Sequence, residues 1–270
     1  MIKHIFSDMD GTLLNDFGQV SPVTVEAVKT AQIPLTLVSA RAPLEMQDAI
    51  RALGLTEPQI AFNGGLIYLP QEHGITALSE CPIDLTTVQL IVRKIQELFP
   101  EVSLSLYNRE QWLAEENDDG TVFESSLTNQ YPSLMPFSKV FDRSSTPLFK
   151  VMLITFDTTE MSKLKEFFEK LSLPDVNIQQ SDDTHLEITS IDAKKSRGID
   201  YIIGCEKLNI DETACFGNGF NDLAMFDRVS YKIAMGNAFP EIKAKATYIT
   251  KSNIEDGIAY ALRSIPIFKN

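Results

Sequence analysis

Cysteine is scarce in this 270-residue chain: Cys81, Cys205 and Cys215 are odd in number and form no CxxC pair. That pattern excludes a disulfide frame and a zinc site, and it predicts reduced thiols in a cytoplasmic protein. Long apolar runs are missing as well. A stretch such as Val151–Phe156 falls far short of the ~20 residues that cross a bilayer. No basic segment leading into an apolar one opens the chain, so neither a leader nor a membrane partner is expected. Basic charge is low too, with 24 Lys and Arg against 37 Asp and Glu, a formal net charge of −13. This excludes the basic footprint that a nucleic-acid partner requires. It also means that any phosphate must be held by a few local cations rather than by long-range attraction. Histidine occurs only at His4, His73 and His185, without ligand or triad spacing. His4 is expected in the core, within a strand. No GxSxG element, internal repeat or low-complexity segment is present.

What the chain does have is an ordinary globular composition, 44% apolar and 23% charged. Its first 80 residues alternate strand and helix signals, the pattern of a parallel α/β sheet. Ile2–Ser7 suits a buried strand, Ser21 and Pro22 open a helix, Leu35–Val38 suits a second strand, and Pro43 opens a second helix. Ile60–Phe62 and Leu66–Leu69 flank a turn at Asn63, Gly64 and Gly65. From Ile83 the character changes to helix-plus-hairpin units, with a polar acidic stretch after Gln111–Ala114. The parallel pattern is expected to resume with a strand at Leu186–Thr189. The expected fold class is therefore α/β, a Rossmann-like parallel-sheet core with an inserted α+β cap domain. Its expected parts are residues 1–82 (core), 83–185 (cap) and 186–270 (core), with His185 at the junction. Ligands of such sheets bind at the carboxyl ends of the strands.

The strongest chemical signal is Asp8-Met9-Asp10-Gly11-Thr12 where the first strand runs out. Residues two apart on a strand point the same way, so both carboxylates can reach one cleft. Gly11 lets the chain turn sharply past them. A carboxylate attacks phosphorus competently when a metal cancels the repulsion between two anions. A second carboxylate can protonate the leaving oxygen and later deprotonate water. An acidic turn after a strand is the plain structural alternative, since Asp and Gly favour turns. The whole five-residue pattern on a buried strand outweighs it.

DxDGT on the first strand resembles the haloacid dehalogenase superfamily, and the chain looks like its Cof-type phosphatase branch in both core halves and in the size and place of the insertion. The resemblance implies that Ser39 and the N–H groups of Met9 and Ala40 bind phosphate. Arg41 matches the Arg of the family's T-G-R-like segment. A lysine eight residues after the acidic residue of an E-I-T-like strand should hold the phosphoryl oxygens. Counting from Glu187 gives Lys195 rather than Lys194. Gly217-Asn218-Gly219-Phe220-Asn221-Asp222 resembles the family's GDxxND, with Asn218 standing where the family has a metal-ligating Asp. Asn221 then corresponds to a phosphate contact, and Asp222 to a residue that orients Lys195 or the metal's water shell. Met235–Ala238 and Glu255–Gly257 also resemble the branch and are expected to be structural turns.

The resemblance implies a magnesium-dependent phosphatase of a small phosphorylated metabolite. Asp8 is the expected nucleophile, Asp10 the acid and base, and Asp8, the Asp10 carbonyl and Asn218 the metal ligands. Lys150 and Arg109 of the cap are candidate substrate contacts. Asp10 argues against a dehalogenase, and the lack of membrane helices against a transporting ATPase. A phosphomutase, or a catalytically weak sensor of a phosphometabolite permitted by Asn218, remains as an alternative.

Overall fold

The computed structural model describes residues 1–142 and 146–269 and divides into two compact units. The first comprises residues 1–41, 46–79 and 194–270, and the second residues 42–45 and 80–193. The chain begins with β1 (His4–Ser7), α1 (Pro22–Ala31), β2 (Leu35–Leu37), α2 (Pro43–Leu53), β3 (Gln59–Ala61), β4 (Leu66–Pro70) and β5 (Ile75–Glu80). Then follow α3 (Leu85–Leu98), β6 (Ser103–Tyr107), β7 (Trp112–Ala114), α4 (Asp119–Thr128), β8 (Ser133–Leu134) and α5 (Phe137–Asp142). After these come β9 (Lys150–Ile154), α6 (Thr158–Leu171), β10 (Val176–Gln180) and β11 (His185–Ser190). The last part is α7 (Lys195–Glu206), β12 (Thr213–Gly217), α8 (Leu223–Phe226), β13 (Tyr231–Ala234), α9 (Pro240–Lys243), β14 (Tyr248–Ile249) and α10 (Gly257–Ser264).

The first unit is built on a parallel sheet of order β14-β13-β12-β1-β2. β1 is central, with Phe6 opposite Cys215 on β12 and Thr36 on β2. All four β1 residues are buried, as expected for a strand covered on both faces. Phe6, Cys215, Ile199, Ile202, Met225 and Phe226 share one apolar cluster. α1 starts where Ser21 Oγ accepts from the Thr24 N–H (3.1 Å), with Pro22 at the first helical position. Three strand ends, those of β1, β2 and β12, therefore open side by side. His4 is fully buried, bonded to Glu206 Oε2 and Thr36 Oγ1, each at 2.9 Å. His73 is exposed between β4 and β5.

The second unit carries a six-stranded sheet of order β10-β11-β9-β6-β7-β8, antiparallel except between β7 and β8. Side chains alternate across it. Leu106, Val151, Leu153, Leu186 and Ile188 lie in one cluster with Val88, Ile91 and Val92 of α3 and Met161, Leu164 and Phe168 of α6. α4 packs on β6 through Gly120, where an added Cβ would stand 2.3 Å from that of Ser103.

Two expectations are corrected here. Leu186–Thr189 does not resume the core. It lies in β11, hydrogen-bonded antiparallel between β9 and β10, so the second unit runs to residue 193 rather than 185, and begins at 80 rather than 83. A buried central strand reads as the same apolar run in either kind of sheet, so the run alone could not place it. His185 accordingly sits inside the second unit rather than at a junction. The acidic stretch after β7 also contains a helix, α4, capped by Asp118 Oδ1 on the Thr121 N–H (2.8 Å).

Candidate active site

The turn after β1 brings Asp8 together with Lys195, and through them Asp222 and Asn218. Asp8 ends the strand in extended conformation (φ −63°, ψ 162°) and is only 6% exposed. Gly11 follows at φ +69°, and an added Cβ there would lie 2.5 Å from the Asn218 amide. Only glycine satisfies both the left-handed backbone and that approach. Asn237 Nδ2 pins the turn by donating to the Gly11 carbonyl (2.8 Å).

Lys195, at the start of α7, is 2% exposed and donates to Asp8 Oδ1 (2.6 Å) and Asp222 Oδ1 (2.8 Å). Lys194, beside it, is exposed. Asp222 is fully buried, and its Oδ2 accepts the N–H groups of Asn218 (2.8 Å) and Gly219 (2.9 Å). One carboxylate thus orients both the lysine and the backbone of the Asn218 loop. Gly64 places α7: an added Cβ would come within 2.1 Å of the Lys194 carbonyl oxygen, and its φ is +100°. Arg197 Nη1 donates to the Gly64 carbonyl (2.6 Å) and completes that clamp.

Burial pushes Asp8 up to about 7, with the charges of Asp222 and Asp10 adding and Lys195 opposing. Burial pulls Lys195 down, but Asp222 and Asp8 outweigh it and raise the ammonium above its ordinary value. Burial raises Asp8 and opposes the rise of Lys195, but the surplus of carboxylate charge over one ammonium pushes both in the same direction.

Asn218 lies within hydrogen-bond reach of the same loop. In one amide orientation its Oδ1 accepts from Thr12 Oγ1 (2.9 Å). In the other its nitrogen donates to Asp8 Oδ2 (3.3 Å), the Asp10 carbonyl (3.0 Å) and Thr12 Oγ1 (2.9 Å). The second orientation satisfies both ends of the amide and places one donor among three oxygens. Those oxygens, in a cluster with excess negative charge, fit a small cation that takes oxygen ligands. The donor set is weakly charged: among the described residues no three carboxylate, imidazole or thiol groups converge as a metal centre.

Asp10 points elsewhere. Its carboxylate, 58% exposed, is forked by Arg41, Nε to Oδ2 at 2.9 Å and Nη2 to Oδ1 at 2.6 Å. Arg41 leaves the end of β2, where its N–H donates to Ser39 Oγ (3.1 Å). Ser39 is 1% exposed, Ala40 is half-buried, Met9 is buried, and Asn221 is exposed on the turn before Asp222. Lys150 and Arg109 belong to the second unit. Lys150 is buried with its ammonium 4.4 Å from the centre of the Tyr107 ring, and Arg109 forks Glu80. Thr12, Gly64 and Asn237 carry the geometry of the site without having been singled out. Thr12 stood within the motif, and Asn237 within a turn already marked as resembling the branch.

Residues 5–262 match the family model described as haloacid dehalogenase-like hydrolase. The chain is 30% identical over 266 residues to a Haemophilus influenzae protein assigned to the phosphatases, covering 97% of each. It is 29% identical over 286 residues to 5-amino-6-(5-phospho-D-ribitylamino)uracil phosphatase YwtE of Bacillus subtilis, covering 96% of each. A Thermotoga maritima crystal structure superposes with a TM-score of 0.87 at 24% identity, over 98% of both chains, and shares the fold.

Proposed function

The chain belongs to the haloacid dehalogenase-like hydrolase family and is a phosphatase, and on that premise we propose that it hydrolyses small phosphate monoesters with magnesium through an aspartyl-phosphate on Asp8. The observation that carries this reading is the Asp8–Lys195–Asp222 chain at the end of β1. It presents a carboxylate oxygen beside an ammonium that is fixed before substrate arrives. The family implies a divalent metal. Magnesium held by Asp8, the Asp10 carbonyl and Asn218, with the amide in the orientation that turns Oδ1 toward them, would supply the positive charge that keeps Asp8 ionised and cancels its repulsion with the phosphate.

The steps then belong to the chain's own groups. Asp8 forms a bond to phosphorus as the ester oxygen departs in line, and Asp10 gives that oxygen its proton. Lys195, Ser39, Asn221 and the N–H groups of Met9 and Ala40 hold the remaining phosphoryl oxygens. Asp10, now a carboxylate, takes a proton from water as the water attacks phosphorus. The bond to Asp8 breaks, releasing phosphate and restoring both residues. The relative named for a phosphoribityl compound supports a small metabolite as the substrate class.

The test is turnover of p-nitrophenyl phosphate in magnesium by the wild type and by Asp8→Asn. The wild type should release p-nitrophenol and carry acid-stable phosphoryl label on Asp8, while Asp8→Asn should do neither. Turnover by Asp8→Asn near the wild-type rate would sink the mechanism. An isomeric product without free phosphate from a sugar phosphate would point to a mutase instead.

A further inference from the structure

The two cations of the site are held differently. Lys195 is 2% exposed between two carboxylates that are themselves nearly inaccessible, so moving it would strand buried charge. Arg41 and Asp10 meet with side-chain exposures of 21% and 58%. Because the Asp10 side chain is more than half exposed, parting this pair returns its carboxylate to water and strands no buried charge. Its backbone, however, is tied down: the Arg41 N–H donates to Ser39 Oγ (3.1 Å), and the Arg41 carbonyl accepts from the Phe62 N–H (3.0 Å). Any movement therefore falls to the guanidinium.

The fork has a chemical consequence. Both Asp10 oxygens are engaged by Arg41. A general acid must instead direct an O–H at the leaving oxygen from about 2.6–3.2 Å. In this arrangement Asp10 is parked. A guanidinium matches a phosphate as well as it matches a carboxylate, with two parallel N–H groups. A phosphate monoester dianion also carries more charge than one carboxylate. Arg41 leaves the same three-residue turn as Ser39 and Ala40, which makes an arriving phosphate its natural competitor partner.

We infer that Arg41 is a phosphate-responsive latch on Asp10, exchanging the carboxylate for the substrate's phosphate and so releasing Asp10 for proton transfer only when substrate is bound. The inference rests on the phosphatase reading above and adds to it a positioning role for Arg41. Between substrates the latch holds Asp10 as a carboxylate; once parted from Arg41, it takes from solvent the proton it donates, and it returns a proton to solvent when the fork re-forms after phosphate leaves.

The test is a double-mutant cycle read by calorimetric titration of the full chain with inorganic phosphate in magnesium buffer. If the latch operates, phosphate must pull Arg41 off Asp10, so Asp10→Asn should bind phosphate more tightly than the wild type. Arg41→Ala should bind it more weakly. With Arg41 gone, Asp10→Asn should gain much less, and the difference between the two gains should be about fivefold or more. Arg41→Lys, which keeps the charge but not the fork, should lower the coupling as well, and thermal melts check that each variant is folded. An equal gain from Asp10→Asn in both backgrounds would mean simple charge removal and overturn the latch. Unchanged phosphate affinity in folded Arg41→Ala would overturn it too. Wild-type turnover of p-nitrophenyl phosphate, measured alongside, separates the two levels. Turnover with equal gains removes the latch alone; no turnover and no phosphate binding removes both it and the phosphatase reading.

Discussion

In each unit a basic side chain bridges two carboxylates, and the two trios are placed differently. In the first unit Lys195 lies between Asp8 and Asp222. In the second, His185 lies between Glu124 (Nε2 to Oε2, 3.1 Å) and Asp182 (Nδ1 to Oδ1, 2.9 Å). The lysine chain has further negative charge beside it, and Asp8 is pushed up to about 7 although an ammonium stands 2.6 Å away. The histidine chain vents charge outward, because the Asp182 side chain is 55% exposed while Glu124 is 7% exposed. One cluster is electrostatically incomplete and fits a further cation. The other opens to solvent through Asp182 and holds its unit's sheet to α4. Burying charge therefore does not by itself mark a site; leaving it unbalanced does.

The largest expected effect comes from breaking the first chain. Lys195→Ala leaves two buried carboxylates without their shared cation, so it should cost about 3–5 kcal/mol of stability. On the proposed mechanism it also removes a donor to the phosphoryl oxygens, and turnover should then slow by ~10²–10³-fold. Lys194 is exposed and its side chain makes no cap bond. Lys194→Ala should therefore stay within about 0.5 kcal/mol of the wild type and keep its activity. Urea midpoints and p-nitrophenyl phosphate turnover of the two variants check this. The reverse ranking would mean that Asp8 is served by a different cation.

The same contrast explains what could be read from the chain beforehand. β1, β2 and β12 carry uniformly buried runs, and DxDGT falls where β1 ends, so the centre of the sheet and its carboxylates were legible. Lys195 followed from a family spacing counted from Glu187, even though Glu187 itself sits in the second unit's sheet. α4 was not legible because its pattern is reversed: it buries Gly120, Thr121 and Glu124 and exposes Val122 and Leu127. A periodicity of apolar residues cannot find a helix whose inner face is polar. The Arg41–Asp10 fork was hidden for another reason. It depends on β1 and β2 pairing in register, Ser7 opposite Leu37, which no local pattern encodes.

A smaller effect sharpens the imbalance of the first cluster. Asn218 can donate to Asp8 and the Asp10 carbonyl, so its amide partly offsets the negative charge. An aspartate there could not donate, and would add a carboxylate to the oxygens facing one point. Asn218→Asp should therefore bind magnesium more tightly, on the order of tenfold, by calorimetry and by the magnesium needed for half-maximal turnover. In chelator the same variant should unfold at lower urea than the wild type, because Asp8 then faces a like charge. Unchanged magnesium affinity would show that residue 218 is not a ligand.

The smallest effect tests the charge state of the second cluster. Burial alone would lower the His185 imidazole, but its bonds to Glu124 and Asp182 outweigh burial and raise it above 6.5. A group whose proton affinity rises on folding contributes stability that is fully present below its unfolded value, near 6.5, and is lost as pH climbs through the folded value. The urea midpoint of the wild type should therefore fall relative to that of His185→Gln as pH is raised from about 6 to 8. Glutamine can still donate to Glu124 but does not titrate. Burial lowers His4, against the pull of Glu206, so its contribution runs the other way and is lost as pH falls. His4 is present in both proteins and cancels in the difference. Phosphatase activity should be the same in both across this range, since His185 belongs to the unit that lacks Asp8. A difference in midpoint that stays constant or grows with pH would mean that His185 is neutral where it sits, and that Glu124 is balanced by another partner.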